Sequence, residues 1–130
     1  MSTEPSGANP RTARIFVIED DSMIRMLLAD MLEQLGYTVA GEAARIDEAI
    51  EAARHAAFDA AILDVDLGGT SSEPVAQALA GRKIPFVFAT GYGAQGLPEA
   101  FRDRPTLKKP FQLDGLGRTL DTALRDGAVR

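Results

Sequence analysis

The stretch Ala60-Ala61-Ile62-Leu63-Asp64-Val65-Asp66 constrains the fold most: a short apolar run stops abruptly at two carboxylates. A run of this length bounded by polar or turn residues suits a strand buried on both faces. Such a strand carries Asp64 to the edge of a sheet, where open α/β sheets bind their ligands. The same grammar recurs along the chain. Ile15-Phe16-Val17-Ile18 ends in Glu19-Asp20-Asp21, residues 84–89 end in Thr90-Gly91-Tyr92-Gly93, and a short run at residues 106–109 breaks at Pro110. Pro85 stands near the start of its strand, where proline is tolerated.

Helical periodicity fills the intervals. Ile24, Leu27, Leu28, Met31, Leu32 and Leu35 form one stripe, with Asp21 or Ser22 to cap its start and Gly36 to end it. Residues 37–41 read as a short strand. Ile46, Ala49, Ile50 and Ala53 form a weaker stripe, with Asp47 and Glu48 favourably placed near its N-terminus. Residues 68–72 predict a loop. Pro74 suits the first turn of a helix running to residue 79 or 80 and closed by Gly81. Residues 94–104 are the least regular, with room for one short helix near 98–102. Leu113, Leu116, Leu120 and Leu124 predict a last helix, weakened by Gly115 and Gly117. Strand and helix thus alternate about five times, which implies a parallel sheet covered on both faces.

Composition narrows the function classes. A chain of 130 residues predicts one domain, residues 13–130, after a disordered arm at residues 1–12 that has little to bury. There is no Cys, and His55 is the only His, which excludes thiolate and His-cluster metal sites and argues against a Ser/His/Asp triad. A net charge of −5 argues against nucleic acid as a partner. No apolar run approaches the ~20 residues of a membrane span, and the start lacks the features of a signal peptide. The expectation is a cytoplasmic protein that engages neither membrane nor nucleic acid.

In a parallel sheet the C-terminal strand ends share one edge. Here they deliver Glu19 and Asp20, Asp64 and Asp66, Thr90, and Lys109. Gathered carboxylates repel one another, and a hard divalent cation such as Mg2+ can hold them together. A carboxylate beside that ion can act as a nucleophile toward phosphorus. A Lys ammonium neutralises charge on phosphoryl oxygens, and a Thr hydroxyl can donate to them.

This constellation resembles the response-regulator receiver domain of two-component signalling over about residues 14–126. The family pattern is an acidic pair after the first strand, a phosphoacceptor Asp after the third, Thr or Ser after the fourth, and Lys-Pro after the fifth. Here these are Glu19 and Asp20, Asp64, Thr90, and Lys109 with Pro110 and Phe111. The resemblance implies a flavodoxin-like, doubly wound five-stranded sheet of order 2-1-3-4-5, a topology that binds its ligands at the switch point of the sheet. It implies that Asp64 accepts a phosphoryl group, that Glu19, Asp20, Asp64 and the backbone carbonyl of Asp66 hold Mg2+, and that Lys109–Pro110 is cis. It names as partners a sensor histidine kinase or histidine phosphotransferase and a downstream signalling protein, with the chain a monomer or weak dimer rather than an enzyme.

The run Phe88-Ala89-Thr90-Gly91-Tyr92-Gly93 is similar to a largely stand-alone receiver subgroup named for it. That subgroup implies a short or degenerate fourth helix. Thr106 stands three positions before Lys109, where receivers usually carry a switch aromatic, so Tyr92 is expected to take that part. Met26, opposite the helical stripe, is expected to be exposed and to contribute to kinase docking. With no output domain expected after residue 129, the signal would pass by contact or onward phosphotransfer. Two alternatives stay open. One is a Mg2+-dependent aspartyl phosphatase of haloacid-dehalogenase type, whose acidic elements occur in the reverse order. The other is an interaction module with the receiver fold that does not use phosphorylation.

Overall fold

A computed structural model of the chain describes residues 13–91 and 97–128. Its elements are β1 (Arg14–Ile18), α1 (Ser22–Gln34), β2 (Thr38–Ala43), α2 (Ile46–His55), β3 (Ala60–Asp64), β4 (Asp66–Leu67), β5 (Thr70–Ser71), α3 (Glu73–Gly81), β6 (Phe86–Thr90), a 3-10 turn (Glu99–Phe101), β7 (Thr106–Lys108) and α4 (Leu113–Ala128). Five strands form a parallel sheet in the order β2-β1-β3-β6-β7. With the small β4–β5 pair set aside, this is the expected 2-1-3-4-5 order. The chain reverses direction across the sheet between β1 and β3, the switch point of a doubly wound fold.

Side chains alternate across each central strand, so successive residues face opposite layers. Phe16, Ile18, Ala61, Leu63, Phe86 and Phe88 pack in one core with residues of α2 and α3. Ile15, Val17, Ala60, Ile62, Val87 and Ala89 pack in the other with residues of α1 and α4. Gly41 makes room in this arrangement: a Cβ there would sit 2.7 Å from the Phe16 ring. The register shifts between Ile15 and Phe16 opposite it.

Three expectations need correction. Residues 66–71 are an antiparallel hairpin, not part of an irregular loop. Its turn is Gly68-Gly69, with φ of 61° and 89°, the left-handed backbone that glycine adopts freely. Leu27 is 47% exposed, because α1 buries only Leu28, Met31 and Leu32 fully and Leu27 falls just outside that stripe. Tyr37 precedes β2 and is buried in the core against the sheet. The fourth-helix region carries a 3-10 turn among its described residues, and Phe101 from that turn lies 5.8 and 6.1 Å from the Phe86 and Phe88 rings. The arm expected at residues 1–12 and the expected switch residue Tyr92 lie outside the described residues.

Candidate functional site

The strand register fixes which groups meet. Ile18 lies beside Leu63 and Asp64 beside Ala89, while Thr90 lies beside Lys108. Each strand therefore ends at the same level, and the next residue of β1 and of β7 adds Glu19 and Lys109 to that edge. Asp64 and Thr90 are the last residues of β3 and β6 and are buried, as is Glu19. Asp20 and the side chain of Asp66 are exposed.

Lys109 joins the two buried acids. Its Nζ donates to Asp64 Oδ2 at 3.2 Å and lies 3.3 Å from Glu19 Oε1. Burial works to lower the Lys109 pKa, but the Asp64 and Glu19 carboxylates outweigh it and the net shift is upward. The ammonium is therefore held charged. Burial pushes the Glu19 carboxyl up to about 7; the Asp21 N–H works against the rise, and the nearby Asp64 carboxylate adds to it. Lys109 lies within ion-pair distance of Glu19 Oε1 but off the hydrogen-bond direction. That buried oxygen has no hydrogen-bond donor among the described residues.

Backbone amides organise the other acids. Asp21 N–H donates to Glu19 Oε2 at 3.1 Å, and Asp21 in turn caps α1 by accepting from Met23 and Ile24. Asp66 N–H donates to Asp64 Oδ1 at 3.2 Å. In the hairpin, Gly68 N–H donates to Asp20 Oδ2 at 3.2 Å and Gly69 N–H to Asp66 Oδ2 at 3.1 Å. Buried Ser72 closes the hairpin, donating from both Oγ and N to the Val65 carbonyl. One carboxylate oxygen from each of Glu19, Asp20 and Asp64 lies within 4.8 Å of the others.

The structure thus gathers Glu19, Asp20, Asp64, Thr90 and Lys109 at one edge, with the Asp66 backbone against Asp64. The Lys109–Pro110 peptide is cis. Pro110 is exposed, and Phe111 is half-buried against the α1–α4 side of the core. Met26 is 70% exposed on α1, as are its chain neighbours Met23 and Leu27 at 78% and 47%. Thr106 is half-buried, its hydroxyl donating to the Arg104 carbonyl. Sequence reasoning placed Gly68 and Ser72 only in a loop and passed over Arg25. A Gly-Gly pair between Leu67 and Thr70 signals the hairpin; an Arg four residues after the capping Asp21 is a weaker signal.

Residues 15–120 match the family described as "Response regulator receiver domain". The chain is 34% identical over 127 residues to the transcriptional regulatory protein PdtaR of Mycobacterium tuberculosis, covering 95% of this chain and 61% of that one. It spans less than two thirds of that relative's length, and 43% of the phyllosphere-induced regulator PhyR of Methylorubrum extorquens, at 33% identity over 119 residues and 85% of this chain. Among solved structures it resembles SdrG from Sphingomonas melonis Fr1, with 45% identity, a TM-score of 0.77, and coverage of 88% of this chain and 98% of that one. A BeF3-activated conformation of SdrG matches with a TM-score of 0.74 and 45% identity, covering 85% and 95% of the two chains. The chain belongs to the response regulator receiver domain family.

Proposed function

We propose that this chain is a response-regulator receiver that accepts a phosphoryl group on Asp64 from a sensor histidine kinase or a histidine phosphotransferase. The observation that carries this reading is the Lys109 ammonium 3.2 Å from Asp64 Oδ2 within a ring of acids. In the reaction, an Asp64 carboxylate oxygen forms a bond to phosphorus. The bond from phosphorus to the donor histidine nitrogen breaks, and that nitrogen keeps the electron pair. Lys109 carries positive charge to the phosphoryl oxygens, and the Thr90 hydroxyl donates to one of them.

The donor set fits Mg2+: hard carboxylate oxygens from two chain segments, the turn after β1 and the end of β3, converge, and buried Glu19 Oε1 lies in the cluster without a hydrogen-bond donor among the described residues. Glu19, Asp20, Asp64 and the Asp66 backbone carbonyl would hold the ion. Bound there, Mg2+ would supply charge neutralisation for phosphoryl transfer. The BeF3-activated SdrG structure supports the reading, since BeF3 mimics a phosphoryl group on a carboxylate.

The Phe88–Gly93 run supports membership of the stand-alone subgroup, with Tyr92 as its switch aromatic. Output then passes by contact or onward phosphotransfer from the surface near Tyr92, Pro110 and Phe111, while Met26 on α1 contributes to docking of the kinase. The protein acts as a monomer or weak dimer.

Incubation of wild type and Asp64→Asn with Mg2+ and acetyl phosphate tests this. Wild type should become stoichiometrically phosphorylated in a hydroxylamine-labile form, and Asp64→Asn should not. Equal labelling of both, or none of the wild type, would sink the assignment; continuous release of phosphate without a stable phosphoprotein would favour the phosphatase alternative.

A further inference from the structure

We infer that Arg25 is a positioning residue that holds the acidic corner between β1 and α1 in its cation-binding shape. This rests on the reading of that corner as the Mg2+ site. Two of the corner's three carbonyls end on the Arg25 guanidinium, and the third takes the helical backbone bond that any residue at this position makes. Nη1 of Arg25 donates to the Glu19 carbonyl at 2.9 Å and to the Asp20 carbonyl at 3.4 Å. Its backbone N–H donates to the Asp21 carbonyl at 2.9 Å. Nε donates to Glu42 Oε1 at 3.2 Å, which anchors the same guanidinium to β2. There Glu19 N–H also meets the Ala43 carbonyl at 3.0 Å.

The consequence is directional. With its carbonyls tied to Arg25, the corner sends the Glu19 and Asp20 side chains to the Asp64 side. A planar guanidinium can serve two carbonyls and a carboxylate at fixed angles. A Lys ammonium at the end of a flexible stem reproduces the charge and not the fork. Removal of groups that orient metal ligands typically costs about 10- to 100-fold in metal affinity.

Charge and geometry predict opposite signs here, which makes the inference testable. Arg25→Ala removes a positive charge near an acidic cluster, and charge alone would tighten Mg2+ binding. Loss of positioning weakens it. Calorimetric titration of the metal-free protein with Mg2+ should give a dissociation constant raised about tenfold in both Arg25→Ala and Arg25→Lys. The maximal rate of Asp64 phosphorylation at saturating Mg2+ should stay within about twofold of wild type. A purely structural role would lower the melting temperature and leave the Mg2+ affinity of the folded protein unchanged.

Unchanged or tighter binding in Arg25→Ala overturns the inference, and wild-type affinity in Arg25→Lys overturns the role of the fork. Should Arg25→Ala fail to fold, Arg25→Lys decides alone. A wild type that takes neither Mg2+ nor phosphoryl overturns the functional reading instead, so the two failures are distinguishable.

Discussion

The two edges of the central sheet are built on opposite plans. At the C-terminal edge, four strands deliver ionisable or hydroxyl groups to one place, and Lys109 bridges two buried acids. At the N-terminal edge a cavity of about 700 Å3 opens beneath β6 and β7, walled by Ile84, Pro85, Phe86 and Pro105. Lys83 and Arg104 both line it, and Arg104 lies over the Phe86 ring, 4.7 Å from the centroid, and 5.6 Å from Phe101. The roomy edge is lined by charged side chains (Lys83, Asp103, Arg104 and Asp126) as well as the Phe86 ring, while the crowded edge brings its charges within 3.2–3.3 Å of one another. Convergence of groups, not volume, marks where chemistry is possible in this fold.

Phe86→Ala gives the strongest test of that contrast. Phe86 is 1% exposed and stacks edge-on with Phe88 and Phe101. Its truncation should cost about 3–5 kcal/mol in urea unfolding. The folded fraction should still accept phosphoryl from acetyl phosphate; if it does not, the two edges are coupled and the comparison breaks.

Next in size is a pH effect confined to the C-terminal edge. The folded Glu19 carboxyl keeps its proton up to about 7, against 4.5 without the protein environment. Between those values the folded state binds more protons than the unfolded state, so stability of the metal-free protein falls as pH rises through the window. The loss is at most about 3 kcal/mol, and it is complete above the folded value. Glu19→Gln should flatten the profile in thermal unfolding from pH 4 to 8. An equally steep profile in the variant would remove Glu19 as its source.

Arg104→Ala should have the smallest effect, about 0.5–1 kcal/mol of melting stability from the lost ring contacts. Phosphorylation should be untouched. A larger loss would mean that the Arg104 stem covers more of the aromatic cluster than its ring contacts show.

Most of the architecture was legible because the central strands are apolar on both faces and stop at polar residues. Leu116 and Leu120 of α4 are buried where the leucine spacing puts them. The cluster was legible for the same reason: strand ends in a parallel sheet must share an edge. What escaped the sequence depends on backbone direction. Leu27 has the spacing of a core residue, yet a stripe read at period 3.6 has no sharp border, and α1 turns it outward. The two-residue strands at 66–67 and 70–71 are too short for any alternation to register. Arg25 gave only a weak signal because two of its partners are carbonyls, which every residue possesses, and the third, Glu42, is 17 residues away in sequence.

That short hairpin behaves as a ruler. Ordinary surface turns accept insertions at little cost, since closing a slightly longer loop loses only a fraction of a kcal/mol, about 0.6 per doubling. Here both ends are pinned, by Asp66 N–H on Asp64 and by Ser72 on the Val65 carbonyl, and the tip is spent on Asp20 through Gly68. One added residue at the tip would carry the Gly68 amide out of register with the carboxylate it meets. Length variation is therefore closed to this turn, although it lies on the surface and is made of the residues that usually permit it.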